Sequence, residues 1–391
     1  MTPDPAPVRA FLEPRHFELA AEVAAFAIAE IASLPAPVDD STARTQAREI
    51  LARIGAGGWT RWAIPESFGG RAEAPDLRAC CIIREALAAA SPLADAVFAL
   101  QCLGSMPITL GGSDAQRAAW LPRVARGKAM TAFAMTEPEA GSDVSGLATT
   151  ARRDGDGWRL DGRKTLISNA GIADVHCVFA ATDRAAGNRG ISCFLVPADT
   201  PGLRFAGAQV LSAPHPLGEL VFDDCHLPAD ALLGDENAGF KLGMRTLDRL
   251  RPTVAAAACG MASRALDEAL AHARTRKQFG EPLAAFQLVQ SKLASMATEL
   301  TAARLLVYRA AWEADRGAER ITLEAAMAKA YATEAAQRIV DQAVQVIGGR
   351  GVLVDHPVDR LYRAVRALRI YEGTTEVQHL VIARQIVGKI E

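Results

Sequence analysis

Between about residue 145 and residue 238 the chain abandons helical spacing for short alternating runs, and this change of period constrains the architecture more than any other feature. The runs GWRLDGRK, DVHCVFAAT, GISCFLVPAD and LGELVFDDCHLP are separated by Asp-Gly, Gly-Asn and Pro-Gly pairs, which punctuate strands with turns. They read as a compact β domain. No G-x-G-x-x-G follows a strand, and the strands do not alternate with long helices, so a doubly wound dinucleotide-binding sheet is disfavoured.

Helical patterns flank this segment. Residues 10 to 130 carry helical periodicity broken by the turn signals PESFGG, ASPLAD and LGGSDAQ. Ser113 with Gln116 three positions on forms a capping box, which predicts a helix from there to near Gly127. Beyond residue 238 a helix is expected over 240–272, bent at Pro252. Phe286, Val289, Leu293, Met296, Leu300, Ala303 and Val307 recur at steps of three and four, the apolar seam of a long bundled helix. Another helix covers 322–347 and ends at Gly348-Gly349, and a last one starts after Gly373. The expected class is α+β, mainly α, with helices over 1–130, a β domain over 131–235 and a helical domain over 236–391.

The chain's 391 residues leave room for two or three domains, and half of them are hydrophobic. A formal charge of −2 with no basic block argues against a nucleic-acid partner. The N-terminal stretch MTPDPAPVRAFLEPRHFELAAEV carries early acids and prolines instead of a charged start and an apolar core. Apolar stretches such as 20–29 are interrupted by Glu, and none approaches the ~20 residues of a membrane span. A cytoplasmic protein without a membrane partner is expected. Seven scattered cysteines lack metal-ligand spacing and read as small buried side chains; the seven histidines form no HxxxH or HExxH pair, so no metal is expected. His215, between Pro214 and Pro216, reads as part of a rigid turn.

Three separated motifs carry a specific resemblance: AFAMTEPEAGSDVSG at 132–146, RTRKQFGEPLAAFQ at 274–287, and QVIGGRG followed by RIYEGTTEVQ between 345 and 378. With AIPESFGG and DGRKTLISNAG they cover nearly the whole chain, which resembles the acyl-CoA dehydrogenase family. The resemblance implies an N-terminal helical domain, a central β-barrel and a C-terminal four-helix bundle, with FAD between barrel and bundle. It also implies a homotetramer built as a dimer of dimers, an acyl-CoA substrate, and electron-transfer flavoprotein as the partner that receives the electrons.

Site residues follow by the same resemblance. In the first motif Phe133, Met135, Thr136, Gly141 and Ser142 belong to the flavin wall; Met135 and Thr136 face the ring, and Ser142 bridges FAD and acyl-CoA. Backbone amides and small hydroxyls suit a flavin's polar edge. Ser168 corresponds to the hydroxyl beside flavin N5. Leu166 departs from the family's usual aromatic at that point and offers no stacking surface. Arg276, Gln278, Phe279 and Gln287 correspond to diphosphate- and adenine-binding positions, and a guanidinium can fork onto phosphate. Gln345 and Gly349 resemble residues that cradle adenine across a subunit interface, and Thr374 and Glu376 complete the cofactor set. Asp248, Arg251 and Gly373 correspond to substrate-side positions; a spacing of three puts Asp248 and Arg251 on one helix face, where an ion pair between them is the alternative reading.

Glu372, in RIYEGTTEVQ, corresponds to the base that removes the thioester α-proton while flavin N5 takes the β-hydride to give the enoyl-CoA. Burial beside substrate would raise its pKa towards working pH. The alternative position of the base in the family falls on Leu247-Asp248-Arg249-Leu250, where no Glu is present. Ala364 stands where the family generally has Asp, and Pro214-His215-Pro216 replaces the usual Gly and Ser/Thr pattern. The loss of charge at Ala364 bears on local helix anchoring more than on chemistry, and Pro214-His215-Pro216 points to a specialised acyl-CoA with a short, branched or cyclic acyl group. A related acyl-CoA oxidase or desulfinase, and a non-catalytic binding protein of the same fold, are the competing readings.

Overall fold

The computed structural model describes residues 5–388, so the first four residues of the N-terminal stretch read above lie outside the described residues. In chain order the main helices are α1 (Pro14–Phe26), α2 (Asp40–Ala56), α3 (Leu77–Ala90), α4 (Pro92–Gly111) and α5 (Asp114–Ala125). The strands follow as β1 (Thr131–Ala134), β2 (Thr150–Asp154), β3 (Gly157–Ser168), β4 (Val175–Ala181), β5 (Ile191–Pro197), β6 (Leu203–Ala208) and β7 (Leu217–Leu227). Then come α6 (Gly239–Thr275), a small hairpin of β8 (Lys277–Gln278) and β9 (Glu281–Pro282), α7 (Gln287–Asp315), α8 (Thr322–Ile347), α9 (Pro357–Leu368) and α10 (Thr375–Val387). The chain divides into two compact units: residues 36–76 with 96–247, and residues 1–35 with 77–95 and 248–391.

The first unit is built on a curled seven-stranded sheet of order β1-β4-β2-β3-β7-β6, with β5 also paired to β4. Its strands alternate because one set of side chains fills the curl: Trp158, Leu160, Phe194 and Phe222 are at most 2% exposed. The other set, including Cys177, Phe179 and Leu195, packs with Ile108 of α4 and Leu121 and Val124 of α5. The Ser113 capping box is present, with Gln116 N–H donating to Ser113 Oγ at 3.2 Å and Ser113 N–H to Gln116 Oε1 at 2.9 Å. Strands β1, β2 and β6 were not among the runs read from the sequence. The β6 segment is mostly exposed and β2 is exposed at three of its five positions, so neither shows the alternation that marks β3.

The second unit is a helical bundle rich in small residues. Ala255 to Cys259 of α6 and Ala325, Ala328, Ala332, Ala335 and Ala343 of α8 are all buried, which lets helix backbones approach closely. A Cβ on Gly260 would stand 2.2 Å from the Glu85 carbonyl oxygen, so α6 and α3 meet at backbone contact. Buried polar ties fix the register. Arg304 of α7 pairs with Glu85, whose Oε2 also accepts from Tyr308 at 3.1 Å. Asp315 accepts from the first N–H groups of α3, Leu77 at 2.8 Å and Arg78 at 3.0 Å, and so caps that helix.

The structure refines several expectations. On α7 the seam is buried from Met296 through Leu300, Ala303 and Val307, whereas Phe286, Val289 and Leu293 are only half-buried. Helix α6 runs continuously through Pro252. Contrary to the expectation that nothing approaches a membrane span, α4 is long and apolar enough by length and composition, but 78% of that window is buried in the protein interior. Its hydropathy reflects burial on all sides. All seven cysteines are buried and unpaired by disulfides.

Candidate active site

The turn Tyr371–Thr374 connects α9 to α10 and carries two successive left-handed residues, Glu372 at φ +55° and Gly373 at φ +94°. That backbone is unfavourable for a residue with a Cβ, and such strain persists only where surroundings impose it. The surroundings here are donors from three helices. Arg251 Nε of α6 donates to the Glu372 carbonyl at 3.1 Å, and Lys329 Nζ of α8 donates to the Gly373 carbonyl at 2.7 Å. Gln378 Nε2 of α10 reaches the same two carbonyls at 3.4 and 3.1 Å. Thr374 caps α10 through its Oγ1, which accepts from Val377 N–H at 3.3 Å, and Glu376 lies exposed in the first turn of that helix.

With both carbonyls held, the Glu372 side chain has no such support. Its Oε2 is buried and has no hydrogen-bond partner. Burial raises the carboxyl above the ordinary carboxylate range, against the pull of Arg84, Arg251 and Lys329. Lys329 is itself brought down to about 8 by burial, with Glu372 opposing the shift. Arg84 is matched elsewhere: Nε and Nη2 fork onto Asp95 at 2.7 and 2.9 Å, and Nη1 donates to Thr253 at 3.0 Å. Tyr371 beside it is pushed well above the ordinary phenol range, chiefly by burial.

Asp248 and Arg251 form the ion pair that their spacing suggests, Arg251 Nη1 to Asp248 Oδ1 at 2.7 Å. Asp248 Oδ2 accepts from Thr322 at 2.6 Å, so the pair also ties α6 to the start of α8. Gly373 lies under the same groups: an added Cβ would stand 2.5 Å from Gln378 Nε2 and 3.6 Å from Arg251 Nη2. Gly373→Ala is therefore expected to cost at least about 1–2 kcal/mol from the left-handed backbone alone. Turnover should fall along with the urea midpoint, and a variant with wild-type values of both would contradict the constraint.

In the sheet unit, the main chain of residues 135–137 is fixed by Lys164. Its Nζ is fully buried and donates to the Met135 carbonyl at 3.0 Å and to Glu137 at 2.7 Å. Glu137 in turn accepts from the N–H groups of Ala148 and Thr149, and Thr165 N–H donates to the Thr136 carbonyl at 3.0 Å. Phe133 is a packing residue, its ring 4.8 Å from that of Phe179, and Met135 is buried beside Phe179 and Gly243. The Thr136 and Ser142 hydroxyls have no partner among the described residues, and nothing lies within 4 Å of a Cβ built on Gly141. A register irregularity between Lys164 and Ile167 puts Leu166 at φ +54° and leaves it 53% exposed, with its N–H donating to Gln209 at 2.7 Å.

Ser168 closes β3, and its Oγ is hydrogen-bonded to His215 Nε2 at 2.9 Å. The sequence showed His215 only as part of a proline-bounded turn. The replacement of small residues by Pro-His-Pro, just before the strand that pairs with Ser168, was the available signal.

Arg276, Gln278, Phe279 and Gln287 lie exposed around the β8–β9 hairpin, Phe279 at 95% and in a left-handed conformation. Gln345 and Gly349 are exposed at the end of α8. Arg276 and Arg350 both act on His272, which burial and these charges hold below the usual imidazole range. The two arginines thus form a cationic end to α6, and Arg350 was not singled out in the sequence. Ala364 sits on the buried face of α9 with Leu361, Val365 and Leu368, where an apolar side chain is in keeping with its neighbours.

Comparison with known proteins finds relatives along most of the chain. Family models described as the N-terminal, middle and C-terminal domains of acyl-CoA dehydrogenase match residues 13–128, 132–225 and 237–387. The human mitochondrial short-chain specific acyl-CoA dehydrogenase is 40% identical over 361 residues, 92% of this chain and 86% of that protein. Butyryl-CoA dehydrogenase from Megasphaera elsdenii superposes with a TM-score of 0.88 at 33% identity, covering 96% of this chain and 99% of that one. A glutaryl-CoA dehydrogenase from Mycobacterium smegmatis, solved in complex with FADH2, has a TM-score of 0.86 at 29% identity and covers 98% and 97%. Three matching domain models and a relative 40% identical over 92% of the chain lead to one assignment: this chain belongs to the acyl-CoA dehydrogenase family of flavoprotein oxidoreductases.

Proposed function

We propose that this protein uses FAD to desaturate an acyl-CoA thioester between its α and β carbons, with Glu372 removing the α-proton. The observation that carries the reading is the Glu372 Oε2, buried without a donor in a turn whose two carbonyls are both held. A carboxylate in that condition is costly to keep charged and correspondingly ready to take a proton. Arg251, Lys329 and Gln378 fix the turn. The Glu372 N–H donates to no group among the described residues, which supports a role in hydrogen-bonding the thioester carbonyl oxygen as charge builds there. Asp248 and Arg251 border the substrate side, and Gly373 lets the chain pass close to it.

The residues present suit FAD. Free hydroxyls at Thr136 and Ser142, open space at Gly141 and an exposed Leu166 offer donors beside an apolar surface. Ser168 belongs to this set. Arg276, Gln278, Phe279, Gln287, Gln345, Gly349, Thr374 and Glu376 are the proposed contacts on the bundle unit, and the unpaired guanidinium of Arg276 suits diphosphate. FAD, when bound, supplies the hydride acceptor for the β-carbon, and an electron-transferring flavoprotein is the proposed partner that takes the electrons onward. The FADH2 in the M. smegmatis relative supports the cofactor. Assembly as a homotetramer is part of the proposal, supported by apolar side chains left open on the bundle unit, such as Phe279 at 95%, Leu288 at 81% and Val354 at 75%.

The test is an anaerobic titration of the FAD-loaded protein with a panel of acyl-CoAs of different length and branching. At least one is expected to bleach the flavin and yield the 2-enoyl-CoA. A folded, flavin-loaded protein that no acyl-CoA reduces would reject the proposal. Rapid recovery of colour in air with formation of peroxide would reject the electron-transferring partner and indicate an oxidase.

A further inference from the structure

The His215–Ser168 contact is unused by the mechanism above, and the surrounding structure fixes it firmly. His215 stands between Pro214 and Pro216, and the Pro216 carbonyl accepts from Asn169 N–H at 2.9 Å, so its loop is tied to the end of β3 on which Ser168 sits. Arg44 of α2 closes the same corner. It donates to the carbonyls of Ala170 and Leu217, pairs with Asp40, and stacks on the Phe205 ring at 4.7 Å. Burial, reinforced by the Arg44 charge and opposed by Asp40, holds the imidazole down to about 4. It is therefore neutral across ordinary working pH, with one N–H and one lone pair, and either can fix the orientation of a serine hydroxyl at 2.9 Å.

We propose that His215 is a positioning residue for the flavin, holding the Ser168 hydroxyl in a single orientation so that the sheet presents a coupled Ser–His pair to the ring. This rests on the reading that Ser168 borders the flavin. With Nε2 as the acceptor, the Ser168 O–H is engaged by the imidazole and its oxygen lone pairs are left to accept, which would suit the N–H that a flavin gains on reduction, so in that tautomer the pair favours the reduced flavin more than a free serine does.

The experiment compares the FAD-loaded wild-type protein with His215→Leu, His215→Gln, Ser168→Ala and the double variant His215→Leu/Ser168→Ala. The readouts are the visible flavin spectrum and the two-electron midpoint potential measured by dye equilibration. His215→Leu is expected to lower the equilibrium constant for flavin reduction about tenfold, equivalent to about 30 mV, in line with one lost hydrogen bond. His215→Gln should recover part of the shift. The double variant should shift no further than Ser168→Ala. If His215→Leu does not fold, His215→Asn, too short to reach Ser168, serves in its place. A potential and spectrum unchanged by loss of His215 but shifted by Ser168→Ala would overturn the proposal while leaving the flavin site intact. No change with either residue would overturn the placement of Ser168 beside the flavin, and the proposal with it.

Discussion

Glu372→Gln is expected to lower kcat/KM for any accepted thioester by roughly 10²- to 10⁴-fold, the usual contribution of a positioned base. FAD content should be unchanged, because the substitution keeps the side chain's size. The folding side of the prediction has the opposite sign. Burial raises this carboxyl in the folded state, so the stabilisation it provides is present below the unfolded carboxylate pKa and is lost as pH rises through the folded one. Near neutral pH the charged, unpartnered oxygen opposes folding, and the glutamine variant should be at least as resistant to urea as the wild-type protein. In the wild-type protein, kcat/KM should climb with pH through an acid limb lying above the ordinary glutamate value of about 4.3. A glutamine variant that keeps its turnover, or an acid limb at the ordinary value, would show that another group takes the proton.

Arg84→Leu is expected to be the most damaging single change to folding outside the apolar core. It strands Asp95, 2% exposed, without the two hydrogen bonds at 2.7 and 2.9 Å that neutralise it. Breaking one side of a buried pair costs about 3–5 kcal/mol, whereas replacing both partners by apolar groups is often neutral. Arg84→Leu/Asp95→Leu should therefore recover most of the loss, and chemical denaturation of the four proteins gives the coupling directly. Arg84 is also the foremost charge drawing the Glu372 carboxyl down, and Asp95 acts the other way. The single variant, if enough folds to assay, should have its acid limb displaced to higher pH, and the double variant less so. Equal stability of Arg84→Leu and the wild-type protein would mean that water reaches the pair.

The fold was legible where local physics repeats. The steps of three and four along α7, the Ser113 box and the turn pairs between strands each have a local cause. They located α5, α7, α8, α10 and most of the sheet. Strands β2 and β6 escaped because they lie at positions where neither face is steadily buried. The apolar run of α4 was underestimated because Asp95, Gln101 and Ser105 break it up, although all three are buried inside the protein, with Asp95 paired to Arg84 and Ser105 bonded to the Gln101 carbonyl.

The candidate site divides along the same line. Glu372 could be found because its motif has companions far along the chain, and the Asp248–Arg251 pair because three residues is a helical neighbour distance. Nothing local announces that Arg251 and Lys329 reach back to the carbonyls of residues 372 and 373, that Arg84 and Asp95 meet, or that His215 lies against Ser168. Each of these joins elements whose approach is set by tertiary packing, which a single sequence does not display.

The turn that carries Glu372 takes its shape from α6, α8 and α10 together, through Arg251, Lys329 and Gln378. A slip of a few tenths of an ångström in any of these helices would change the aim of the carboxylate long before it opened a cavity large enough to lower a melting temperature. Catalytic rate is thus the more sensitive gauge of how well this helical assembly is seated. Conservative changes among its alanines, remote from the thioester, should surface first as slow catalysis in a protein that still resists heat.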